Sequence, residues 1–281
     1  YYLPIGNISI STEACESSLF KLRPEDKPEA PFHDLEAVQL DLRSLDAIFI
    51  RNEPPFDNQY LMQTWLLDQL ESEVFIINKP SGVRAVNEKV WTLNYNEFCP
   101  RTLISRNMET LKTFLKTEGK IVIKPTDGFG GQGVFILNDG DTNTSVSLEM
   151  LSDNGQKEVI AQQYIPEAAD GDKRILLLNG EPLGAVLRLH GEEDHRNNFM
   201  AGGSALKAAL TEHDLKICDA LKPQLQALGL YFVGIDIMGD KLIEVNVTSP
   251  TCIREMCKLD GVNYVQQVID FVEEKISAVT H

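Results

Sequence analysis

The chain has 281 residues, of which 43% are hydrophobic, 7% aromatic and 24% charged, an ordinary globular composition that supports a sizeable core and more than one subdomain. Its net charge of −16 excludes general nucleic-acid binding, which needs a basic surface. No apolar run is long enough to span a bilayer and no stretch reads as a signal peptide. The cysteines (Cys15, Cys99, Cys218, Cys252 and Cys257) form no CxxC pair, so we expect free thiols in a cytoplasmic protein.

The opening "YYLPIG" reads as the interior of a domain, so we expect residues ahead of Tyr1. Residues 1–45 are polar and Pro/Glu-rich in the middle, and predict a hairpin or long loop. "LDAIFIRN" (45–52) predicts a buried strand, and Asp57 is placed to cap a helix running to about Leu70. "VFIINKP" (74–80) predicts a second strand, and strand–helix–strand at this spacing is the pattern of a parallel α/β layer. Past Lys89 the pattern changes. "RTLISRN" predicts a strand, and Asn107 caps a helix whose Leu111, Phe114 and Leu115 share a face. Residues 158–166 predict a strand ending in a hinge, and 170–190 a hairpin turning at Asn179-Gly180. The Gly- and charge-rich stretch 191–210 predicts a mobile loop, with His190 and His195 solvent-exposed. Thr211 caps a helix that bends at Pro223 and stops at Gly229. Ser249-Pro250 reads as N-cap and N1 of a further helix. Val262, Val265, Ile269, Val272 and Ile276 give the last helix its core-packing stripe.

"KIVIKPTDGFGGQGVFIL" (120–137) reads as strand, glycine loop, strand. Gly128 to Gly133 satisfies G-x-G-x-x-G, but a dinucleotide loop needs a helix next, and Val134 to Leu137 favours a strand. No G-K-[ST] follows, which excludes a Walker A loop. Two readings stand equal at this point. One is a flap whose backbone N–H groups face ATP phosphates, with Lys124 as a point charge; the other is a Gly-rich turn with a solvated lysine. Arg51, Lys79, Arg84, Lys89, Lys124, Lys173, Arg174 and Arg188 all sit in or beside Gly-, Pro- or Asp-containing segments, which suits a small-anion site.

"YFVGIDIM" (231–238) is nearly all apolar and holds one carboxylate, Asp236. In "KLIEVNVTSPT" (241–251) strict alternation places Ile243, Val245 and Val247 on one face and Leu242, Glu244 and Asn246 on the other. Two facing carboxylates about 5 Å apart repel by roughly 3 kcal/mol at an effective dielectric of 20, so a partly buried pair wants a cation. A regular two-residue turn at Gly239-Asp240 puts Asp236 opposite Ile243, on the wrong face. A three-residue connection or a bulge puts it opposite Glu244, and we expect that arrangement.

In order, "IRNEPPFD", "NKPSGVRAVNEK", "IVIKPTDGFGGQGVF", "AQQYIP", "DGDKRILLLNGEP", "NNFMAGGS" and "GIDIMGDKLIEVNVTSPTCIRE" closely resemble bacterial glutathione synthetase, a family of the ATP-grasp superfamily. The likeness runs from about Leu45 to the end; the family's opening strand–helix unit has no counterpart here. It implies an α/β and α+β fold: an N-terminal parallel α/β domain (1–88), a central lid (89–165) and a C-terminal antiparallel-sheet domain (166–281). The implied reaction joins γ-glutamylcysteine to glycine. ATP phosphorylates the cysteinyl carboxylate, and the glycine amine displaces phosphate. Such chemistry rests on positioning and charge neutralisation rather than a side-chain nucleophile.

Residue by residue, the resemblance implies that Lys89, Lys124 and the loop glycines Gly128, Gly130 and Gly131 meet nucleotide phosphates. Gln163, Tyr164 and Ile165 form the adenine hinge, and Asp172, Lys173 and Arg174 the "GDKR" motif. Arg174 and Arg188 are the catalytic cations, and Asn198 sits beside the phosphates. Asp236, Glu244 and Asn246 hold Mg²⁺, or Mn²⁺ in its place; Arg51, Ser249, Pro250 and Thr251 meet the dipeptide. A homo-oligomer is also implied. The segment "LHGEEDHRNNFMAGG" is more acidic than the family's mobile loop, which puts its gating in question. The alternatives are another ATP-grasp ligase, of D-alanine–D-alanine or glutamate type, or a non-catalytic nucleotide-binding protein on the same fold. A Rossmann oxidoreductase would need a helix directly after Gly133.

Overall fold

A computed structural model describes residues 1–24, 32–189 and 204–279, which form four sheets. The first is the hairpin β1 (Glu16–Pro24) and β2 (Phe32–Asp41), as the polar opening suggested. β3 (Ala47–Phe49) and β4 (Phe75–Ile77) are parallel, with helix α1 (Asn58–Asp68) between them in the chain. The Asp57 side chain accepts from the Tyr60 N–H at 2.9 Å, satisfying one of the free donors that open α1. A short helix, α2 (Pro80–Ala85), starts on proline.

The second unit contains β5 (Thr102–Ser105), α3 (Met108–Glu118), β6 (Lys120–Pro125), β7 (Phe135–Asn138), α4 (Thr144–Leu151) and β8 (Val159–Gln163). Its strands run in the order β5-β8-β6-β7, all antiparallel. Leu111 and Leu115 of α3 pack with Ile121, Ile123, Leu137 and Val159 in a separate core. A strand, not a helix, follows the glycine loop, so the loop does not have the dinucleotide-binding form.

The largest sheet holds β9 (Asp172–Leu178), β10 (Glu181–Leu189), β11 (Ser204–Lys207), β12 (Phe232–Met238) and β13 (Lys241–Asn246), all antiparallel, in the order β11-β10-β9-β12-β13. Asn179 and Gly180 both have positive φ (53° and 80°), as a tight hairpin turn demands. Ile175, Leu177, Val233, Ile235 and Val245 face α5 (Glu212–Ala227). On the other face Leu176, Val186 and Phe232 lie under α6 (Ile253–Asp260) and α7 (Tyr264–Val279). Because strand side chains alternate, Arg174, Asp236, Glu244 and Asn246 share that second face, but beyond the reach of the helices. One sheet face is thus apolar at one end and charged at the other.

Four expectations are corrected. Ser204 to Lys207, read as mobile loop, is the edge strand β11 paired with β10; residues 190–203, with His190, His195 and Asn198, lie outside the described residues. Ser249-Pro250 starts no helix: α6 begins only after Cys252, whose φ of 86° turns the chain into it. The stripe of α7 is shifted. Val262 precedes the helix, Val265 and Ile269 are exposed, and Val268 and Val272 are buried with Ile276 packed beside them. A 3.6-residue period tolerates both phases over so short a window, and packing on β10 and β4 selects one.

The fourth concerns β13. The turn does have two residues, pairing Met238 with Lys241, but a bulge between Asp236 and Ile237 leaves Ile243 without a partner. Asp236 stands opposite Glu244 as expected. The bulge sends Leu242 into the core with Val245 and Val247, while Ile243 joins Glu244 and Asn246 on the cleft face.

Candidate active site

A cavity of about 830 Å³ separates the four-stranded sheet from the charged end of the five-stranded one. Lys124 enters it from β6, buried, its Nζ 3.2 Å from Gln162 Oε1. Burial pulls its ammonium down to about 8, outweighing Glu244 nearby. The loop beyond turns through Gly130, Gly131 and Gly133, all at positive φ. Lys89 reaches across the cavity: its Nζ donates to the Gly128 carbonyl at 2.6 Å and to Glu244 Oε1 at 2.6 Å. Burial pulls this ammonium down, but Glu244 prevails and raises it. Gln163, Tyr164 and Ile165 line the same cavity at the end of β8.

The floor is a ring of alternating charge across three strands. β12 and β9 put Asp236 opposite Arg174, and β9 and β10 put Asp172 opposite Arg188. All four side chains are buried. Arg174 donates through Nε to Asp236 and through Nη2 at 2.8 Å; Arg188 Nη2 bridges Asp172 and Asp236, 3.0 Å from the latter. Burial alone would raise the Asp236 carboxyl, yet the two guanidinia hold it well below the usual carboxylate range. Asp172 goes the other way: burial, against the Arg188 bond, pushes it up to about 6. Gly171, at φ 102°, closes this corner; a Cβ there would lie 2.4 Å from the Arg188 carbonyl oxygen.

Asn246 Nδ2 stands 3.3 Å from Asp236 Oδ2. Asp236, Glu244 and Asn246 therefore gather carboxylate and carboxamide groups on one wall, the hard oxygen donors that suit Mg²⁺. The donor chemistry fits such an ion, with two carboxylates and an amide. The repulsion between the two carboxylates is already relieved by the protein's own cations, Arg174 and Arg188 at Asp236 and Lys89 at Glu244.

Arg51 Nη2 donates to the Pro250 carbonyl at 2.9 Å, and Ser249 Oγ to the Arg51 carbonyl at 3.3 Å. Ser249 and Thr251 line the cavity beside them. Lys173 does not join the site. It points away, to Asp214 at 2.5 Å, because alternation along β9 puts it on the α5 face. Lys79 and Arg84 likewise pair with Glu71 and Asp68, outside the cavity. The cysteines are free, and among the described residues no helix is long and apolar enough to cross a membrane.

Three residues escaped the sequence reading. Gln162 is the partner of Lys124. Asn78 Nδ2 bonds the Phe232 and Val247 carbonyls at 2.7 and 2.8 Å. Glu88 accepts from the backbone at Val247 and Thr248. A carboxylate directly before a cavity lysine was the one available signal, for Glu88.

Residues 1–84 match the family model for the prokaryotic glutathione synthetase N-terminal domain, and 88–261 that for its ATP-grasp domain. A glutathione synthetase from Vibrio vulnificus (strain YJ016) is 36% identical over 280 residues, covering 99% of this chain and 88% of the relative. In fold the chain is similar to the D-cycloserine synthetase DcsG (TM-score 0.65, 15% identity, 83% of this chain and 86% of that one). It is also similar to the ATP-grasp ligase PsnB complexed with minimal precursor, Mg and ADP (TM-score 0.58, 13% identity, 92% and 86%). Matches over both parts of the chain leave neither the other ATP-grasp ligases nor a non-catalytic binder favoured: the chain belongs to the prokaryotic glutathione synthetase family, ligases that make glutathione at the expense of ATP.

Proposed function

We propose that the cavity carries out this ligation with the nucleotide between the two sheets and the acyl phosphate formed over the Arg174–Arg188 floor. The observation that supports this reading is convergence. One sheet contributes Lys124, the glycine loop and the 163–165 hinge; the other contributes two guanidinia and three oxygen-bearing side chains, around a single cavity. Lys89, Lys124 and the N–H groups of Gly128, Gly130 and Gly131 neutralise the phosphates. Arg188, with Arg174 beside it, stabilises charge on the transferring phosphoryl group and on the tetrahedral intermediate that glycine forms. Asp172 and Asp236 hold these guanidinia in place until substrate arrives. Arg51 with Ser249 to Thr251 orients γ-glutamylcysteine.

Asp236, Glu244 and Asn246 would hold Mg²⁺, the ion bound with ADP in PsnB, and Mn²⁺ suits the same hard donors. When bound, such an ion supplies further neutralisation between the phosphates. The division into 1–88, 89–165 and 166–281, a homo-oligomeric state and a cytoplasmic location belong to the same proposal.

Incubation with ATP, Mg²⁺, γ-glutamylcysteine and glycine, followed by mass spectrometry, should give glutathione with one phosphate released per product. Phosphate release only with a different acid–amine pair would sink the reading. Lys124 adds a pH signature. Its ammonium is protonated below about 8 and neutral above, so ATP affinity must fall as pH rises through that value. One unit above it about a tenth of sites stay charged, and the Kd for ATP should weaken about tenfold. Calorimetric titration across that range should show this slope in the wild type and a flat, weak profile in Lys124→Met.

A further inference from the structure

Asn87, Glu88 and Lys89 span the gap between the two cavity walls. Asn87 Nδ2 donates to the Thr126 carbonyl at 3.1 Å, just ahead of the glycine loop. Lys89 joins Gly128 to Glu244, as described above. Glu88, between them, is bound to β13 and the chain just beyond it. Its carbonyl accepts from the Val245 N–H at 2.8 Å. Its Oε1 accepts from the Val247 N–H at 2.8 Å, the Thr248 N–H at 3.0 Å and the Thr248 hydroxyl at 2.9 Å. β13 is the last strand of its sheet, so Glu88 supplies acceptors that a neighbouring strand would otherwise provide. From the other side Asn78 Nδ2 holds the Val247 carbonyl at 2.8 Å. Both polar groups of Val247 are therefore fixed.

Val247 is the pivot between two functions. Asn246 precedes it, and Ser249 and Thr251 follow in the turn that meets Arg51. We propose that Glu88 is a positioning residue for the ligation, holding the 247–251 turn so that Ser249 and Thr251 face the incoming thiol dipeptide while Asn246 keeps its place beside Asp236. This rests on the substrate assignment made above. The rival role is a charged one, with the Glu88 carboxylate binding a substrate ammonium group. The geometry distinguishes the two, because all three side-chain bonds end on one oxygen. A glutamine places its carbonyl oxygen there and retains every bond while losing the charge. Burial, with Glu244 adding repulsion, pushes the Glu88 carboxyl up against the pull of its donors, so a neutral acceptor is well suited to the place.

The test is steady-state kinetics on the full chain, varying γ-glutamylcysteine at saturating ATP and then the reverse. Glu88→Gln should stay within about threefold of wild type in both. Glu88→Ala should lower kcat/KM for the dipeptide about tenfold or more and leave the KM for ATP within about twofold, the scale expected from orphaned backbone donors. Thr248→Val removes one donor and should lose about threefold for the dipeptide alone; it decides the matter should Glu88→Ala fail to fold. A Gln variant as impaired as the Ala variant would overturn the proposal in favour of the charge. So would an unaffected Ala variant, or equal losses toward both substrates. Wild-type glutathione formation in the same assay separates failure of this proposal from failure of the ligase reading.

Discussion

Asp236→Ala should destabilise the protein by about 3–5 kcal/mol and abolish ligase turnover. The carboxylate is the only acid shared by Arg174 and Arg188 in the floor of the cleft, and all three side chains are buried. Removing it leaves two buried guanidinia with Asp172 alone, a net positive charge with little water to solvate it. Partnerless buried ions cost far more than the net worth of the intact pair, so the loss exceeds that of an ordinary truncation. Thermal unfolding should move down by about 10 °C. An unchanged midpoint would mean that the guanidinia find other partners. Asp236→Asn should keep the volume but still lose most of the stability, because a carboxamide brings no charge.

Glu244→Ala should have the opposite profile: a normal melting curve and kcat reduced about a thousandfold or more. Glu244 is partly exposed, and its partner Lys89 retains the Gly128 carbonyl after the substitution. A partly solvated ion pair of this kind is worth about 1 kcal/mol or less. The expected loss is therefore chemical: a donor for the divalent ion disappears, and Lys89 is no longer held at that side of the cleft. Near-normal kcat would remove Glu244 from the metal site. The two variants together separate carboxylates that face each other across one hairpin, one needed for folding and reaction, the other for reaction alone.

Short-range signals carried much of the fold. Asp57, Asn107 and Thr211 mark three helix starts because a cap is a bond between residues three apart, visible in sequence. The Asn179-Gly180 turn is equally local. Ser249-Pro250 failed as a helix start because its neighbours do not continue a helix; the chain instead reverses at Cys252 and gives the Pro250 carbonyl to Arg51. Lys173 shows the limit for the site. It sits between Asp172 and Arg174 in a motif, yet alternation along β9 turns it to Asp214 on the opposite side of the sheet. Glu88 and Asn78 were illegible for another reason: each meets residues more than 150 positions away, and no periodicity reports such contacts.

The bulge at Ile243 makes the β12–β13 hairpin sensitive to residue count more than to residue type. Asp236 and Glu244 face each other only because an odd residue sits on the return strand after a two-residue turn. The turn itself, Gly239-Asp240, is free to drift in identity so long as its backbone form is kept. A one-residue deletion that removes the bulge is different: it reverses the parity of every position after it, sending Glu244 and Asn246 into the core and Val245 to the nucleotide. Insertions and deletions here should thus be purged where substitutions survive, and length, read across relatives, becomes the signature of the metal strand.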